Sequence, residues 1–171
     1  MMINLRKLDP IHKKILTKLF SFFKKEYSYN ILDLWSGRTS LKVLTEYFKN
    51  SKVTAIIYPW DIRKSKWINE SVKTKNFILK EQDIYKLKQE KKYDIILAHL
   101  LLWEANKFSN KPFEQMVESL FKIQTKYLII IDILEDKDVD YRTILSYISK
   151  KWEMIKTITL NKYIWFLIKK Q

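Results

Sequence analysis

Carboxylates, one glycine and one imidazole stand at the ends of short apolar runs. Asp33 lies in Asn30-Ile31-Leu32-Asp33-Leu34-Trp35. Ser36-Gly37-Arg38-Thr39-Ser40 follows and contains the only glycine of the chain. A glycine at such a turn lets backbone come close to a ligand and permits positive φ. Asp61 follows Tyr58-Pro59-Trp60, Asp83-Ile84 follows Asn76–Leu79 and Gln82, and His99, with Glu104 close by, follows Tyr93–Ala98. Carboxylates in such places can accept hydrogen bonds. His99, whose ordinary pKa is near neutrality, and Glu104 can take a proton. Each also has a plainer reading. Asp33 and Gly37 suit a turn, Asp61 an N-cap, Asp83 a strand end and His99 a core imidazole. The acids Asp132, Glu135, Asp136, Asp138 and Asp140 follow an apolar strand and read as a solvated loop, not a cation site.

Composition removes several chemistries. The 171 residues contain no Cys, so disulfides, thiolate metal sites and Cys nucleophiles are excluded. His12 and His99 are the only histidines, too few for a multi-His zinc hydrolase. With 47% apolar and 30% charged residues, the chain has a folding composition. Its net charge is +14, from 33 basic and 19 acidic residues. The excess is mostly Lys, at 29 against 4 Arg. Lysine is a point charge and lacks the planar fork of Arg, so a solvated coat and a polyanion-binding surface both stay open. Aromatics interleave with the basic residues in Phe20–Tyr27 and Tyr58–Trp67.

The elements that position these groups follow from periodicity. Asp9-Pro10 opens a helix. Ile11, Ile15, Leu19, Phe22 and Phe23 give it an apolar side, and it is expected to end near Tyr27. Strands are expected at Asn30–Trp35, Lys52–Tyr58, Asn76–Leu79, Tyr93–Leu97, Tyr127–Ile133, Trp152–Leu160 and Tyr163–Lys169. Helices are expected from Leu41 to Phe48 and at Asp61–Val72, Pro112–Gln124 and Val139–Lys150. Near-continuous apolar strands alternating with helices indicate a parallel sheet covered on both faces. Only an antiparallel hairpin can close the gap at Asn161-Lys162. One domain over residues 1–171 is expected, with 1–28 an amphipathic N-terminal helix region. No apolar run approaches the ~20 residues of a membrane span, and no export signal is evident. A cytoplasmic protein is expected.

At this point the sequence resembles the class I S-adenosylmethionine-dependent methyltransferases, over roughly Asn30 to Lys170. The element order is similar to that family's. The family's first motif is D-x-G-x-G-x-G, which here reads Asp33-Leu34-Trp35-Ser36-Gly37-Arg38-Thr39. The acid and middle glycine match, while Trp35 and Thr39 replace the outer glycines. The resemblance implies an α/β, three-layer Rossmann-like sandwich. Its seven-stranded sheet is mostly parallel with an antiparallel C-terminal strand. It implies S-adenosylmethionine as cofactor and S-adenosylhomocysteine as product. Cofactor contacts would fall on Asp33, Trp35, Ser36, Gly37, Tyr58, Asp61, Asp83, Ile84 and His99. The family's ribose-binding acid falls on Ile57 or Tyr58, with Asp61 a few residues on. Its adenine-contacting acid matches Asp83. His99 and Glu104 would lie in the acceptor pocket.

The sequence-level expectation is therefore methyl transfer to a small molecule, nucleic acid or protein. The competing one is a methyltransferase-like domain without catalysis, serving as a binding or scaffold module, including for nucleic acid. The Trp and Phe content is compatible with a homodimer. A nicotinamide dehydrogenase is disfavoured, because the turn lacks the glycines that admit a pyrophosphate.

Overall fold

A computed structural model describes residues 10–34, 38–57, 76–87, 92–99, 101–102, 112–133, 140–160 and 163–171. Its strands are β1 (Asn30–Leu34), β2 (Lys52–Ile57), β3 (Phe77–Glu81), β4 (Tyr93–His99), β5 (Thr125–Ile133), β6 (Trp152–Leu160) and β7 (Tyr163–Lys170). The helices are α1 (Pro10–Phe20), α2 (Arg38–Tyr47), α3 (Phe113–Lys122) and α4 (Tyr141–Lys151), with a 3-10 turn at Ile84–Lys86. The strands form one seven-stranded sheet in the order β3-β2-β1-β4-β5-β7-β6. The first five are parallel neighbours, and β7 runs antiparallel to both β5 and β6. The expected hairpin is present, with Leu160 paired to Tyr163. The expected helix at Asp61–Val72 lies outside the described residues.

Alternation along the strands divides the core in two. Leu32, Leu34, Ile96, Ala98, Leu128 and Ile130 face α3 and α4. Ile31, Ala55, Ile95, Leu97, Ile129 and Ile131 face α1 and α2. Successive strand residues point to opposite faces, so an apolar residue at every position is what a sheet covered on both sides requires. The edges are treated differently. β6 carries Lys156, Thr157 and Thr159 along its exposed length, and its register shifts between Met154 and Lys156. Charge and a bulge at an edge discourage pairing with another chain.

Two expectations need correction. The first helix ends at Phe20, not near Tyr27, and a turn follows, with Phe23 N–H donating to Phe20 C=O at 2.8 Å. Its buried side is His12, Ile15, Leu16, Leu19 and Phe20, whereas Ile11 and Phe22 are 38% and 49% exposed. Ending the helix there swings Phe23 into the core against Tyr29, Phe48 and Tyr127. The second concerns Asp132, which is fully buried rather than part of a solvated loop. It accepts hydrogen bonds from the N–H groups of Leu102 (3.1 Å) and Ile133 (3.0 Å). Asp140 caps α4 through Arg142 N–H and Thr143 Oγ1. These bonds to the charged form hold its carboxyl below the usual range. Glu135, Asp136 and Asp138 lie outside the described residues. No cluster suited to a metal ion occurs among the described residues, and no described helix is long and apolar enough to cross a membrane.

Candidate functional site

The parallel strands β1 to β4 end along one edge, where open α/β sheets bind ligands. Asp33 sits one residue before the end of β1, flanked in register by Ala55 of β2 and Leu97 of β4. It is fully buried and accepts a hydrogen bond from Ser40 Oγ at 3.1 Å. Ser40 is in the first turn of α2. The hydroxyl bond ties the carboxylate to the N-terminal turn of α2. Asp33 therefore fixes the start of α2 against the end of β1, the two sides of the turn that contains Gly37.

Asp83 and Ile84 follow β3. Gln82 N–H donates to Ile57 C=O at 3.0 Å, so this segment is tied to the end of β2. The half-buried Asp83 carboxylate accepts from Tyr85 N–H at 2.9 Å and starts the 3-10 turn. Ile84 is 4% exposed and joins the core face of Leu34, Ile56 and Ala98. A carboxylate beside an apolar side chain is thus held at the ends of two adjacent strands.

His99 closes β4 on the other face, under α1. Its ring meets that of His12 edge-on at 4.9 Å, and His12 in turn meets Tyr163 at 4.4 Å. Nε2 of His99 is buried with no hydrogen-bond partner among the described residues. Burial, and secondarily the neighbouring His12, push the His99 pKa down to about 3. The imidazole is neutral near pH 7 and a weak proton acceptor. The edge thus brings Asp33 and His99 to the same face of the sheet and puts Ile84 in the opposite one. Trp35, Ser36, Gly37, Tyr58, Asp61 and Glu104 lie outside the described residues.

The buried imidazole has a consequence for stability. The folded-state pKa, about 3, is below the ordinary value of 6.5, so the stabilisation is complete above 6.5 and is lost as pH falls toward 3. At pH 5 the loss is roughly 2 kcal/mol. The groups that face it are His12 of α1 and, behind that, Tyr163 of β7. Urea unfolding at pH 7 and pH 5 should show a smaller pH-dependent loss in His99→Gln than in the parent. Equal losses would contradict the assignment.

Sequence reading missed Ser40 as a partner of Asp33, His12 as a partner of His99, and Asp132 as a buried group. Only the first two carried a signal. Ser40 lies within a turn of the expected helix start, and His12 stands at helical spacing from Ile15 and Leu19.

Neither a protein-family model nor a curated protein matches the sequence. Solved structures do. The N-methyltransferase NodS from Bradyrhizobium japonicum WM9 superposes with a TM-score of 0.69 at 9% identity, covering 95% of this chain and 97% of that one. NodS is also solved in complex with S-adenosyl-L-homocysteine. The 16S rRNA methylase ArmA gives a TM-score of 0.63 at 13% identity, covering 94% of this chain and 82% of that one. The mitomycin 7-O-methyltransferase MmcR gives 0.66 at 10% identity, covering 94% of this chain. This chain spans about half the length of MmcR, 54%. At such identities the likeness concerns the backbone and not the substrate, and what it establishes is that this chain has the class I methyltransferase fold.

Proposed function

We propose that this protein is an S-adenosylmethionine-dependent methyltransferase. The observation that carries the reading is the sheet order β3-β2-β1-β4-β5-β7-β6 with a buried acid, Asp33, held at the turn between β1 and α2. The chemistry of the residues present suits the cofactor. A purine needs an acceptor for its amino group, and the half-buried Asp83 carboxylate would supply it beside the end of β2, with Ile84 packed beneath. Asp33 and Gly37, with Trp35 and Ser36, would border the methionine portion, and Tyr58 and Asp61 the ribose. When bound, S-adenosylmethionine supplies a methyl group already activated on a sulfonium. The chain then has to orient an acceptor and keep water out. Glu104 is retained as the candidate proton acceptor. His99 is assigned to the wall beneath α1, since a neutral, deeply buried imidazole is poorly suited to take a proton. We place the protein in the cytoplasm, with an acceptor that is a small molecule, nucleic acid or protein.

Calorimetric titration with S-adenosylhomocysteine tests this reading. Binding is expected in the parent, and Ser40→Ala, which removes the hydroxyl bond from α2 to the Asp33 carboxylate, should weaken it by about tenfold, or ~1.4 kcal/mol. Absence of heat at millimolar ligand would remove the proposal. One sequence feature favours a second reading, a fold retained as a binding or scaffold module: Trp35 stands where the family has its first glycine. In that case Trp35→Gly would create cofactor binding that the parent lacks.

A further inference from the structure

At the edge of the sheet opposite the candidate site, α3 and α4 both end in lysine beside an aromatic groove. Phe121 of α3 stacks on Tyr147 of α4 with centroids 5.5 Å apart and planes 29° apart. Trp152, the first residue of β6, meets Phe121 edge-on at 5.7 Å. These rings and Lys122, Lys150 and Lys151 line a cavity of about 250 Å³. Lys150 lies 5.4 Å from the Tyr147 ring centroid. Lys170 is paired with Trp152 across β6 and β7, and so stands on the same face of the sheet. The acid of the groove, Glu118, is held by Lys122 at 2.7 Å. The positive charge of Lys150, Lys151 and Lys170 is therefore not offset by Glu118.

We propose that this groove binds single-stranded nucleic acid, with bases against the Phe121–Tyr147 stack and backbone phosphates on Lys150, Lys151 and Lys170. Stacked rings accept any base face, and lysines neutralise phosphates without reading sequence. An anionic membrane is the poorer match, because the rings line a concavity and do not project from a convex surface. The expected binding is tolerant of sequence. The site is separate from the cofactor edge, and the inference does not depend on methyl transfer.

Fluorescence anisotropy with a labelled oligouridylate provides the test. Three phosphate contacts on a single strand predict a log–log salt slope of about −2. Lys150→Glu/Lys151→Glu, at exposed positions, should lower affinity by more than ~10-fold and flatten that slope. Tyr147→Ala should lower it by about fivefold or more at unchanged helical circular dichroism. Lys13→Glu/Lys14→Glu, also exposed but on α1, serves as the control for a general lysine coat and should change affinity by less than ~3-fold. Equal losses in the two double variants would overturn the proposal. So would parent-like binding by Lys150→Glu/Lys151→Glu, or tighter binding to phosphatidylserine vesicles than to the oligonucleotide.

Discussion

Trp165→Ala should destabilise the protein by about 4 kcal/mol, the loss expected when a large aromatic side chain is removed from a packed core. Trp165 is fully buried in β7, on the face toward α1 and α2. It is paired in register with Ile131 of β5 and Ile158 of β6. Its ring centroid is 6.1 Å from that of His12 and 6.4 Å from that of Tyr163. One side chain therefore supports both the reversed strand and the helix laid over it. Against a typical domain stability of about 5–15 kcal/mol, the loss should lower the thermal midpoint by roughly 10 °C. Trp165→Phe separates packing from polarity. The indole Nε1 is buried without a hydrogen-bond partner among the described residues, so its removal strands no other group. The Phe variant should lose roughly 2 kcal/mol less than the Ala variant. Denaturant titration decides it. A Phe variant as unstable as the Ala variant would mean that the indole N–H makes a bond the packing account lacks. Hydrogen exchange in α1 should also quicken in the Ala variant, because His12 loses its underlying contact.

The legible parts of this fold are those whose physics is local in the chain. Val53–Ile57, Ile95–Ala98 and Leu128–Ile131 are apolar at nearly every position, and a strand buried on both faces leaves no alternative. The two residues between β6 and β7 permit only a hairpin. The fold class therefore followed from pattern. The course of the first helix did not. Ile11 and His12 are adjacent, and hydropathy favours placing Ile11 inward. The structure buries His12 because rings from His99 and Tyr163, far along the sequence, meet it there. The same distance hid the end of the helix, since Phe23 turns inward to meet Tyr127.

The candidate site was legible in its residue types more than in its geometry. Asp33 and Asp83 were identifiable because acids interrupting or ending apolar strands are conspicuous. The direction of His99 was not, although strand alternation sets it once β4 is known to extend to residue 99. Ile95 and Leu97 face α1 and α2, so His99 does too. Sequence chemistry treats a histidine beside an expected pocket as a base. Burial against a second histidine leaves the imidazole neutral near pH 7. The groove of Phe121, Tyr147 and Trp152 was invisible to a search for basic stretches, because its three rings come from three elements.

Asp132→Ala should cost about 3 kcal/mol, since the carboxylate satisfies one buried and one part-buried backbone donor, and each orphaned donor carries a desolvation penalty. Asp132 lies next to the end of β5, paired with Ile164 of β7, and is fully buried. One oxygen accepts from Leu102 N–H and the other from Ile133 N–H. The first bond matters more for the site. Leu102 follows β4, so Asp132 anchors the chain just past the end of that strand. No sequence pattern announces this, because the donor is a main-chain amide thirty positions away. Asp132→Asn keeps one acceptor and turns an amide NH2 toward the other donor, so it should lose roughly half as much. Hydrogen exchange distinguishes a local anchor from general packing. In Asp132→Ala the Leu102 amide should lose protection while Ile95–Leu97 at the centre of β4 keep theirs. Uniform loss along β4 would show that Asp132 stabilises the sheet as a whole and does not specifically position the strand exit.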